Sequence, residues 1–574
     1  MADDSSIIRP KNVLVIGGGS AGLVTLRNLV ERGQFQRVEL VERRDDVGGV
    51  WYQNEPLIAS ENGTLINKPQ WPSPAYPGLV GNVLPRFLSF SEFPFPPTPD
   101  HPHQPFPTLI ETYEYLRNFA KPYLSGGLVR LNSEVLRVEE LPLNKGWKIR
   151  IRDWSACETN EGIPLDSEEI WDAVVVCAGY YDKPNWPNTE GLDAVRKRGL
   201  ALHSKWWNGP DGYEGKRAIV IGNANSSNDI ATQLAPVARA PVYRSMRRPT
   251  PTWFPHLPDA RVENVGPVAR YILQPPREAV DGAVNEKVTV VLQNGTEIKD
   301  VDVVILGTGY CPHPEFVHVL PIEVDDANDV MGAKVSIPIQ TPSPPQTPPR
   351  HPSSPSRAYS DHPKSPTSTA VSIMSYTNPV LPHTRRIPFL YQHILYSYNP
   401  SLAFIGTILA ITPFIVSDVA STWLALAWSG QVGYPQEVEK RLQFDRERVK
   451  EVERLVEAEN RRNSREGEED RTRTGMGIDD GQKSNGMVLP EVDSQSSRAD
   501  PSSFITYCFL GSGGDEGAQG GEAGYANTLR KDVVGARKDL DGVLPVWDAE
   551  MMKARWDMFP TKYEALEWAR MHCV

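Results

Sequence analysis

The sequence predicts an α/β fold in which one strand–turn–helix–strand arrangement occurs twice. The first copy begins with VLVIGGGSAG at 13–22, where an aliphatic run enters a glycine-rich turn and a helix with apolar residues at helical spacing follows. The second copy begins with RAIVIGNANSS at 217–227 and ends with the short strand PVYR at 241–244. Alternating strands and helices form parallel sheets, so we expect two Rossmann-like units.

The first turn has the spacing of a dinucleotide site. Gly17, Gly19 and Gly22 follow a buried strand, and the acidic Glu42 ends the next strand. The first glycine permits a tight turn, the second lets the backbone approach a pyrophosphate, and the third lets the helix pack on the strand. The helix N-terminus attracts phosphate, whereas a carboxylate repels a 2′-phosphate. We therefore expect FAD or NAD here, rather than NADP.

The second turn differs from the first in its glycines and in the charge that follows it. Small residues fill the turn: Gly222, Ala224, Ser226 and Ser227. Arg247 and Arg248 stand where Glu42 stands in the first unit. Because guanidinium groups form bidentate, charge-assisted hydrogen bonds with phosphate, the second unit is expected to bind NADPH through its 2′-phosphate.

Length, charge and cysteine content exclude several classes of protein. A chain of 574 residues is too long for one core, and a net charge of −12 argues against nucleic acid as a partner. The five cysteines form no CxxC pair, which fits a reducing compartment and disfavours a flavin–dithiol reductase.

Targeting and metal signals are also weak. The start MADDSS is acidic and polar, so a presequence is not expected. The most apolar window, 402–416, is too short and too interrupted to cross a membrane, and we expect a cytoplasmic protein. His101 and His103 lie in a proline-rich loop without a second ligand nearby, so no metal site is expected.

Many short motifs together resemble the flavin-containing monooxygenases, which are class B flavoprotein monooxygenases, and in particular their soluble fungal and bacterial members. The matching segments are GGGSAG at 17–22, GGVW at 48–51, SEFPFP at 91–96, VVVCAGY at 174–180, GNANSSNDIA at 222–231, RSMRR at 244–248, LGTGY at 306–310 and LYQHI at 390–394. The family motif FxGxxxHxxx[YF] is matched at Gly199 and His203, but Lys197 replaces its Phe and Trp207 its last aromatic residue. A tryptophan there resembles the sister Baeyer–Villiger monooxygenases, which follow it with Pro or Asp instead of Asn208.

The resemblance implies two cofactors, FAD and NADPH, and assigns residues to each. The expected FAD contacts are Gly17, Gly19, Ser20, Gly22, Glu42, Gly49, Trp51, Val135 and Gly309. The expected NADPH contacts are Gly222, Ala224, Ser226, Ser227, Arg247, Arg248 and His203. Asn82 lies in GNVLP, which resembles the family's TN-x-P loop, and is the expected catalytic residue, hydrogen-bonded to the peroxyflavin and NADP⁺.

The repeated pattern and the composition divide the chain into domains. Residues 1–190, 311–330 and 384–460 are expected to form the FAD-binding domain, into which an NADPH-binding domain, 191–310, is inserted. The Pro/Ser-rich insert 331–383 and the charged segment 461–501 are expected to be disordered, and 502–574 to form a helical tail.

By the resemblance, NADPH reduces FAD, and reduced flavin captures O₂ as a C4a-hydroperoxide that oxygenates nitrogen or sulfur of a small-molecule substrate. Two alternatives remain: Baeyer–Villiger oxygenation of a ketone, and a flavin-binding protein without turnover whose Pro/Ser-rich insert is an interaction platform. A homodimer is left open.

Overall fold

The structure is a computed structural model. It describes residues 8–53, 69–97, 102–155, 163–247, 250, 255–275, 277–278, 284–312, 314–322, 369–376, 386–473 and 521–572. The expected site residue Arg248 and most of the expected disordered segments lie outside these ranges.

The described elements fall into three stretches of chain. The first contains β1 (Asn12–Ile16), α1 (Ser20–Arg32), β2 (Arg37–Val41), α2 (Leu109–Ser125), β3 (Val129–Arg130), β4 (Ser133–Glu140), β5 (Trp147–Asp153), β6 (Leu165–Trp171), β7 (Ala173–Val176) and β8 (Lys183–Pro184). The second contains α3 (Leu192–Lys197), β9 (Ala201–His203), β10 (Ala218–Ile221), α4 (Asn225–Leu234), β11 (Val242–Ser245), β12 (Val262–Val265), β13 (Val268–Leu273), β14 (Arg277–Glu278), β15 (Val284–Asn285), β16 (Val288–Leu292), β17 (Glu297–Val301), β18 (Val303–Leu306) and β19 (Tyr310–Cys311). The third contains β20 (Val317–Val319), β21 (Val371–Ser372), β22 (Leu390–Tyr391), β23 (Leu395–Tyr396), β24 (Leu402–Phe404), α5 (Pro413–Trp428), α6 (Val438–Arg473), α7 (Gly521–Ala536) and α8 (Ala549–His572).

The first unit is built on a seven-stranded sheet with the order β22-β23-β24-β7-β1-β2-β3. Its strands from β24 to β3 are parallel, so their carboxyl ends share one edge. Alternate residues of β1 face opposite layers: Val13 and Val15 pack in the core with helices α1 and α5, and Leu14 and Ile16 pack with the sheet that contains β4 and β5. Burial on both faces explains the uninterrupted apolar run of this strand.

The second unit has a five-stranded parallel sheet with the order β12-β11-β10-β18-β9. A three-stranded antiparallel sheet, β13-β16-β17, packs beside it, and its hairpin turns at Gly295, as the Asn-Gly pair predicts. The observed α/β architecture with two Rossmann-like sheets confirms the predicted fold class.

The chain leaves the first unit and returns to it through two adjacent short strands. β8 and β19 pair antiparallel, with Pro184 opposite Tyr310 and Lys183 opposite Cys311. Residues 192–306, which form sheets of their own, are thus inserted between two parts of the chain. Both of these parts contribute strands to the seven-stranded sheet.

Two predicted segment boundaries are wrong. Residues 369–376 fall in the expected insert, yet they form β21 and a short 3₁₀ helix whose Ile373 is fully buried. The helix α6 continues to Arg473, into the segment expected to be disordered. In both cases a short apolar or helix-forming stretch lies within a longer polar segment. The composition of the whole segment predicts disorder and hides the local signal.

Candidate functional site

The first glycine turn is shaped by close backbone packing. Gly17 has φ +108°, and a Cβ atom there would lie 2.6 Å from the carbonyl oxygen of Cys177 at the end of the neighbouring strand. A Cβ atom on Gly22 would lie 1.8 Å from the carbonyl oxygen of Gly17. The helix α1 begins at Ser20 after Gly19, without a side-chain cap and without an acidic residue in its first turn. Its N–H groups therefore suit a phosphate ligand.

Glu42 lies buried beside this turn. Its Oε2 accepts a hydrogen bond from the Gly18 N–H at 2.6 Å, and its Oε1 accepts one from the Arg44 N–H at 3.0 Å. The carbonyl oxygen of Glu42 accepts from the Ser133 N–H at 2.8 Å, which brings the start of β4 and half-buried Val135 towards the same strand end. A fixed carboxylate beside a phosphate-binding turn fits a ribose with free hydroxyl groups.

The GGVW segment packs directly against the first turn. A Cβ atom on Gly49 would lie 2.7 Å from the Cα of Gly19, so only glycine allows this approach. The Arg44 guanidinium donates to the carbonyl oxygens of Gly49 and Tyr52, while half-buried Trp51 packs against the main core. Arg44 was not predicted from the sequence, and it fixes this segment to the strand end that carries Glu42.

A third strand end completes this side of the first unit. Gly406, with φ +77°, follows β24, and a Cβ atom on it would lie 2.7 Å from the Cβ of Ala21 in α1. Two small cavities share Phe404 and Thr407 in their linings. The larger one also reaches Gly179, at the end of β7. Small, mostly apolar spaces thus line the carboxyl edge of the sheet, where open α/β sheets bind ligands.

The second turn keeps its geometry with a serine in the third position. Gly222 has φ +125°, and a Cβ atom there would lie 2.5 Å from the Gly307 carbonyl oxygen. Ser227 is buried, and its hydroxyl donates to that same oxygen at 3.3 Å. The helix α4 follows Ala224 without a side-chain cap, and Ser226 is half-buried in its first turn. This helix end can accept a phosphate as the first one can.

The arginines within and after β11 have different surroundings. Arg244 is buried and donates to Asn228 Oδ1 at 2.5 Å and to Asn264 Oδ1 at 2.9 Å, so its role is to hold the sheet and helix together. Arg247 is the second residue after the end of β11 and is exposed. Arg248 lies outside the described residues. Of the predicted 2′-phosphate ligands, the structure therefore places Arg247 at the matching strand end.

His203 joins the second unit to the chain crossing. It is fully buried, and its Nδ1 accepts from the Lys205 N–H at 3.1 Å, which leaves Nε2–H to donate to the Gly309 carbonyl oxygen at 3.0 Å. The same oxygen accepts from the Asn185 N–H at 2.8 Å. Burial lowers the pKa of His203 to about 4, so the ring is neutral near neutral pH. The structure thus links two predicted contacts, His203 for NADPH and Gly309 for FAD.

A charged cluster that the sequence did not reveal ties the first strand end to the crossing. The Asp182 carboxylate lies 3.1 Å from the Arg43 guanidinium and 2.7 Å from the Lys205 ammonium group. Burial alone would raise the pKa of Asp182, but these two cations outweigh it and hold that pKa below its usual range.

Asn82 lies in an ordered loop and is half-buried. The preceding Gly81 donates its N–H to the Pro107 carbonyl oxygen at 2.8 Å, which fixes the loop. The side chain of Asn82 forms no hydrogen bond with the described residues, so its amide is available to a ligand. The following Val83 packs against the same apolar core as Trp51.

The SEFPFP motif owes its position to a buried ionic network. Ser91 donates through its N–H and its hydroxyl to Asp418 Oδ2, both at 2.7 Å. Arg27 of α1 donates to Asp418 Oδ1 at 2.8 Å, and Arg32 lies 3.5 Å from the same oxygen. The motif thus fastens the phosphate-binding helix α1 to α5. Sequence reasoning missed this role because its partners are hundreds of residues apart.

Two other classes of chemistry find no support in the described part of the chain. No group of three His, Cys, Asp or Glu residues there could hold a metal ion. Cys177 is a free thiol, and burial raises its pKa to about 12, so it stays protonated.

Among the described helices, none has both the length and the apolar character that crossing a membrane requires.

A family model described as "Flavin-binding monooxygenase-like" matches residues 10–254. Among curated proteins, the chain is similar to "Flavin-containing monooxygenase FMO GS-OX5" of Arabidopsis thaliana, with 30% identity over 327 residues that cover 55% of this chain and 64% of the relative. It is also similar to "FMO GS-OX2" of the same plant, with 34% identity over 42% of this chain and 50% of the relative. A third relative, "FMO GS-OX-like 2", has 29% identity over 75% of this chain and 76% of its own length. The chain therefore spans between half and two thirds of the first two of these relatives.

Solved structures share the fold. S-allyl-L-cysteine S-oxygenase from Allium sativum has a TM-score of 0.53 and 20% identity over 97% of this chain and 99% of its own. Tmm from Pelagibacter has a TM-score of 0.51 and 19% identity, and the match covers 76% of this chain and 80% of Tmm. At these identities the likeness concerns the fold alone. Together with the motifs, the comparisons show that residues 10–254 match a flavin-binding monooxygenase-like domain and that the chain is similar to flavin-containing monooxygenases.

Proposed function

We propose that the chain is an FAD- and NADPH-dependent monooxygenase that transfers one oxygen atom to a soft nucleophile, nitrogen or sulfur, of a small molecule. In the balanced reaction NADPH, a proton, O₂ and the substrate give NADP⁺, water and the oxygenated product. NADPH supplies two electrons, and the second oxygen atom leaves as water.

The observation that carries this proposal is the opposite charge at two equivalent strand ends. Buried Glu42 lies beside the first phosphate-binding turn, whereas exposed Arg247 follows the strand next to the second. One chain with a ribose-diol site and a 2′-phosphate site fits FAD and NADPH together. The match of residues 10–254 to a flavin-binding family model supports the flavin part of this assignment.

Each part of the site has a role in this scheme. The glycine turns and helix ends bind the two pyrophosphates, and Glu42 holds the adenosine ribose. Bound flavin supplies the chemistry of accepting a hydride and activating O₂. Asn82 offers an amide donor that orients without acting as an acid. His203, neutral and fixed to Gly309, holds the two cofactor regions in register without supplying a proton.

A second candidate is Baeyer–Villiger oxygenation of a ketone. Trp207 favours it, because a tryptophan at this position resembles that sister group. Trp207 is 3% exposed, and its Nε1–H donates to Gln233 Oε1 at 3.1 Å. Its ring therefore packs in the second unit, which supports a structural role equally well.

Turnover of purified protein tests the proposal. The protein should be yellow, and NADPH oxidation should be measured with sulfides, amines and ketones, with peroxide and products quantified in parallel. We expect an S-oxide or N-oxide in proportion to the NADPH used. An ester product would favour the second candidate. Yellow protein that never oxidises NADPH would be a flavin-binding protein without turnover and would contradict both.

A further inference from the structure

The C-terminal helix α8 contacts segments from distant parts of the chain. Met558 accepts a hydrogen bond at Sδ from the Leu84 N–H at 3.4 Å, and the Trp568 ring stacks on His103 with 5.4 Å between centroids. Near its end, Arg570 donates to the Pro258 carbonyl oxygen at 3.4 Å, in the second unit. The helix therefore lies across the Asn82 loop and reaches the second unit.

Lys562 is the charged residue by which this helix holds the loop. It is 5% exposed, and its ammonium group donates to the Gly81 carbonyl oxygen at 2.8 Å. The same group lies 4.8 Å from the centre of the Phe106 ring, a cation–π distance. Burying an ammonium group is costly unless its hydrogen bonds are satisfied, so this contact constrains both partners. Burial lowers the pKa of Lys562 to about 8, against the opposing charge of Asp229, so the cation persists at neutral pH.

The contacted carbonyl belongs to the peptide unit that joins Gly81 to Asn82. Peptide units are planar, so fixing this oxygen also fixes the direction of the bond that leads to the Asn82 Cα. On the other side, the Gly81 N–H donates to the Pro107 carbonyl oxygen at 2.8 Å, and a Cβ atom on Gly81 would lie 3.1 Å from that oxygen. The backbone just before Asn82 is thus held from both directions.

The beginning of the same loop is fastened to the second unit. The Tyr76 hydroxyl donates to Asp229 Oδ2 of α4 at 2.8 Å, and the Leu79 N–H donates to the Tyr76 carbonyl oxygen at 3.1 Å. The loop that carries Asn82 therefore lies between the second unit and α8, and Lys562 supplies the contact from α8.

We propose that Lys562 is a positioning residue: by holding the Gly81–Asn82 peptide unit, it aims the Asn82 amide at the flavin and nicotinamide. This inference rests on the proposed monooxygenase function. It predicts that the C-terminal helix controls how completely NADPH oxidation is coupled to oxygenation of the substrate.

The first test measures the loop itself and needs no turnover. Lys562→Met keeps most of the side-chain volume and removes the donor. Lys553→Met, which makes the same chemical change at a 77% exposed position of α8, is the matched control. In hydrogen–deuterium exchange of the full chain, we expect several-fold faster exchange in peptides covering 76–88 for Lys562→Met, with unchanged exchange in α1. Unchanged exchange at 76–88 would overturn the proposal.

The second test measures coupling in the flavin-loaded enzyme. With substrate saturating, Lys562→Met should release several-fold more peroxide per NADPH than wild type, approaching Asn82→Ala, while FAD content and NADPH affinity stay unchanged. Lys562→Arg, which keeps the charge, should restore part of the coupling, and it carries the test if Lys562→Met does not fold. A loosened loop with wild-type coupling would contradict the positioning role. Wild-type protein without oxygenated product would instead refute the proposed function, and the exchange measurement would still decide whether Lys562 holds the loop.

Discussion

At the scale of single residues, charges of opposite sign lie at equivalent strand ends of the two units. Both carboxylate oxygens of Glu42 accept backbone N–H groups, at 2.6 and 3.0 Å, so the side chain is oriented before any ligand arrives. Arg247 has the opposite charge and stands exposed at the equivalent place in the second unit. In the proposed function, these charges of opposite sign distinguish a nucleotide with a free ribose diol from one with a 2′-phosphate.

Arg247→Ala should weaken NADPH far more than NADH. Hydrogen bonds to charged groups contribute roughly 1.5–3 kcal/mol, and exposure reduces this, so we expect the KM for NADPH to rise about tenfold. The KM for NADH should change little, because it has no 2′-phosphate. Steady-state kinetics with both nucleotides measures this, with Arg270→Ala, also exposed, as control. An equal effect on both nucleotides would rule out the 2′-phosphate assignment.

His203 makes stability depend on pH. Its pKa is lowered from 6.5 to about 4 in the folded chain, so the unfolded chain binds the proton first as pH falls. Stability that is fully present above pH 6.5 is therefore lost progressively towards pH 4. At about pH 5 the expected loss is about 2 kcal/mol.

Urea unfolding of wild type and His203→Gln tests this pH effect. Gln can still donate to the Gly309 carbonyl oxygen but does not titrate. From about pH 7 to about pH 5 the wild-type midpoint should fall further than that of the variant. Parallel curves for the two proteins would show that His203 is not buried as a neutral ring.

At the scale of elements, one buried carboxylate joins α1, the helix that follows the first glycine turn, to α5. Asp418 in α5 is 1% exposed and receives Arg27 and Arg32 from α1 and Ser91 from the SEFPFP segment. Removing one partner of such a network leaves uncompensated buried charge, which costs more than the pair itself contributes.

Asp418→Asn should therefore be strongly destabilising. It removes the carboxylate that pairs with buried Arg27, whereas Arg32 keeps its ion pair with Glu92, and we expect the free energy of unfolding to fall by about 3–5 kcal/mol. Asp557→Asn is the matched control, since Asp557 pairs with Lys553 on the surface of α8 and should contribute less than about 1 kcal/mol. Denaturant unfolding of both variants measures the difference. Similar small losses would mean that the network is not needed to fasten α1.

The elements around the two turns were predictable because their signals are local. The helix predicted after the first glycine turn is observed as Ser20–Arg32, and the hydrophobic run before the turn is strand β1. The contacts that fasten these elements were not predictable. Asp418 meets Arg27 across 391 residues of sequence, and Lys562 meets Gly81 across 481. No periodicity encodes such pairs, because they depend on how whole layers pack.

At the scale of the whole molecule, the second unit is joined to the first at several points. The strands β8 and β19 pair at the crossing, and Asp182 connects cations from both sides. The helix α8 adds a further contact by spanning the Asn82 loop and the second unit. The loop is held between both units, an arrangement that suits a reaction in which two nucleotides must meet.

The most direct measurement of the central claim traces the transferred oxygen atom. Purified protein would be supplied with NADPH, isotopically labelled dioxygen and a sulfide or tertiary amine, and the product analysed by mass spectrometry. The account predicts one labelled oxygen atom per product molecule, in proportion to the NADPH oxidised. Product that takes its oxygen from water, or NADPH oxidation that yields peroxide alone with every substrate, would contradict it.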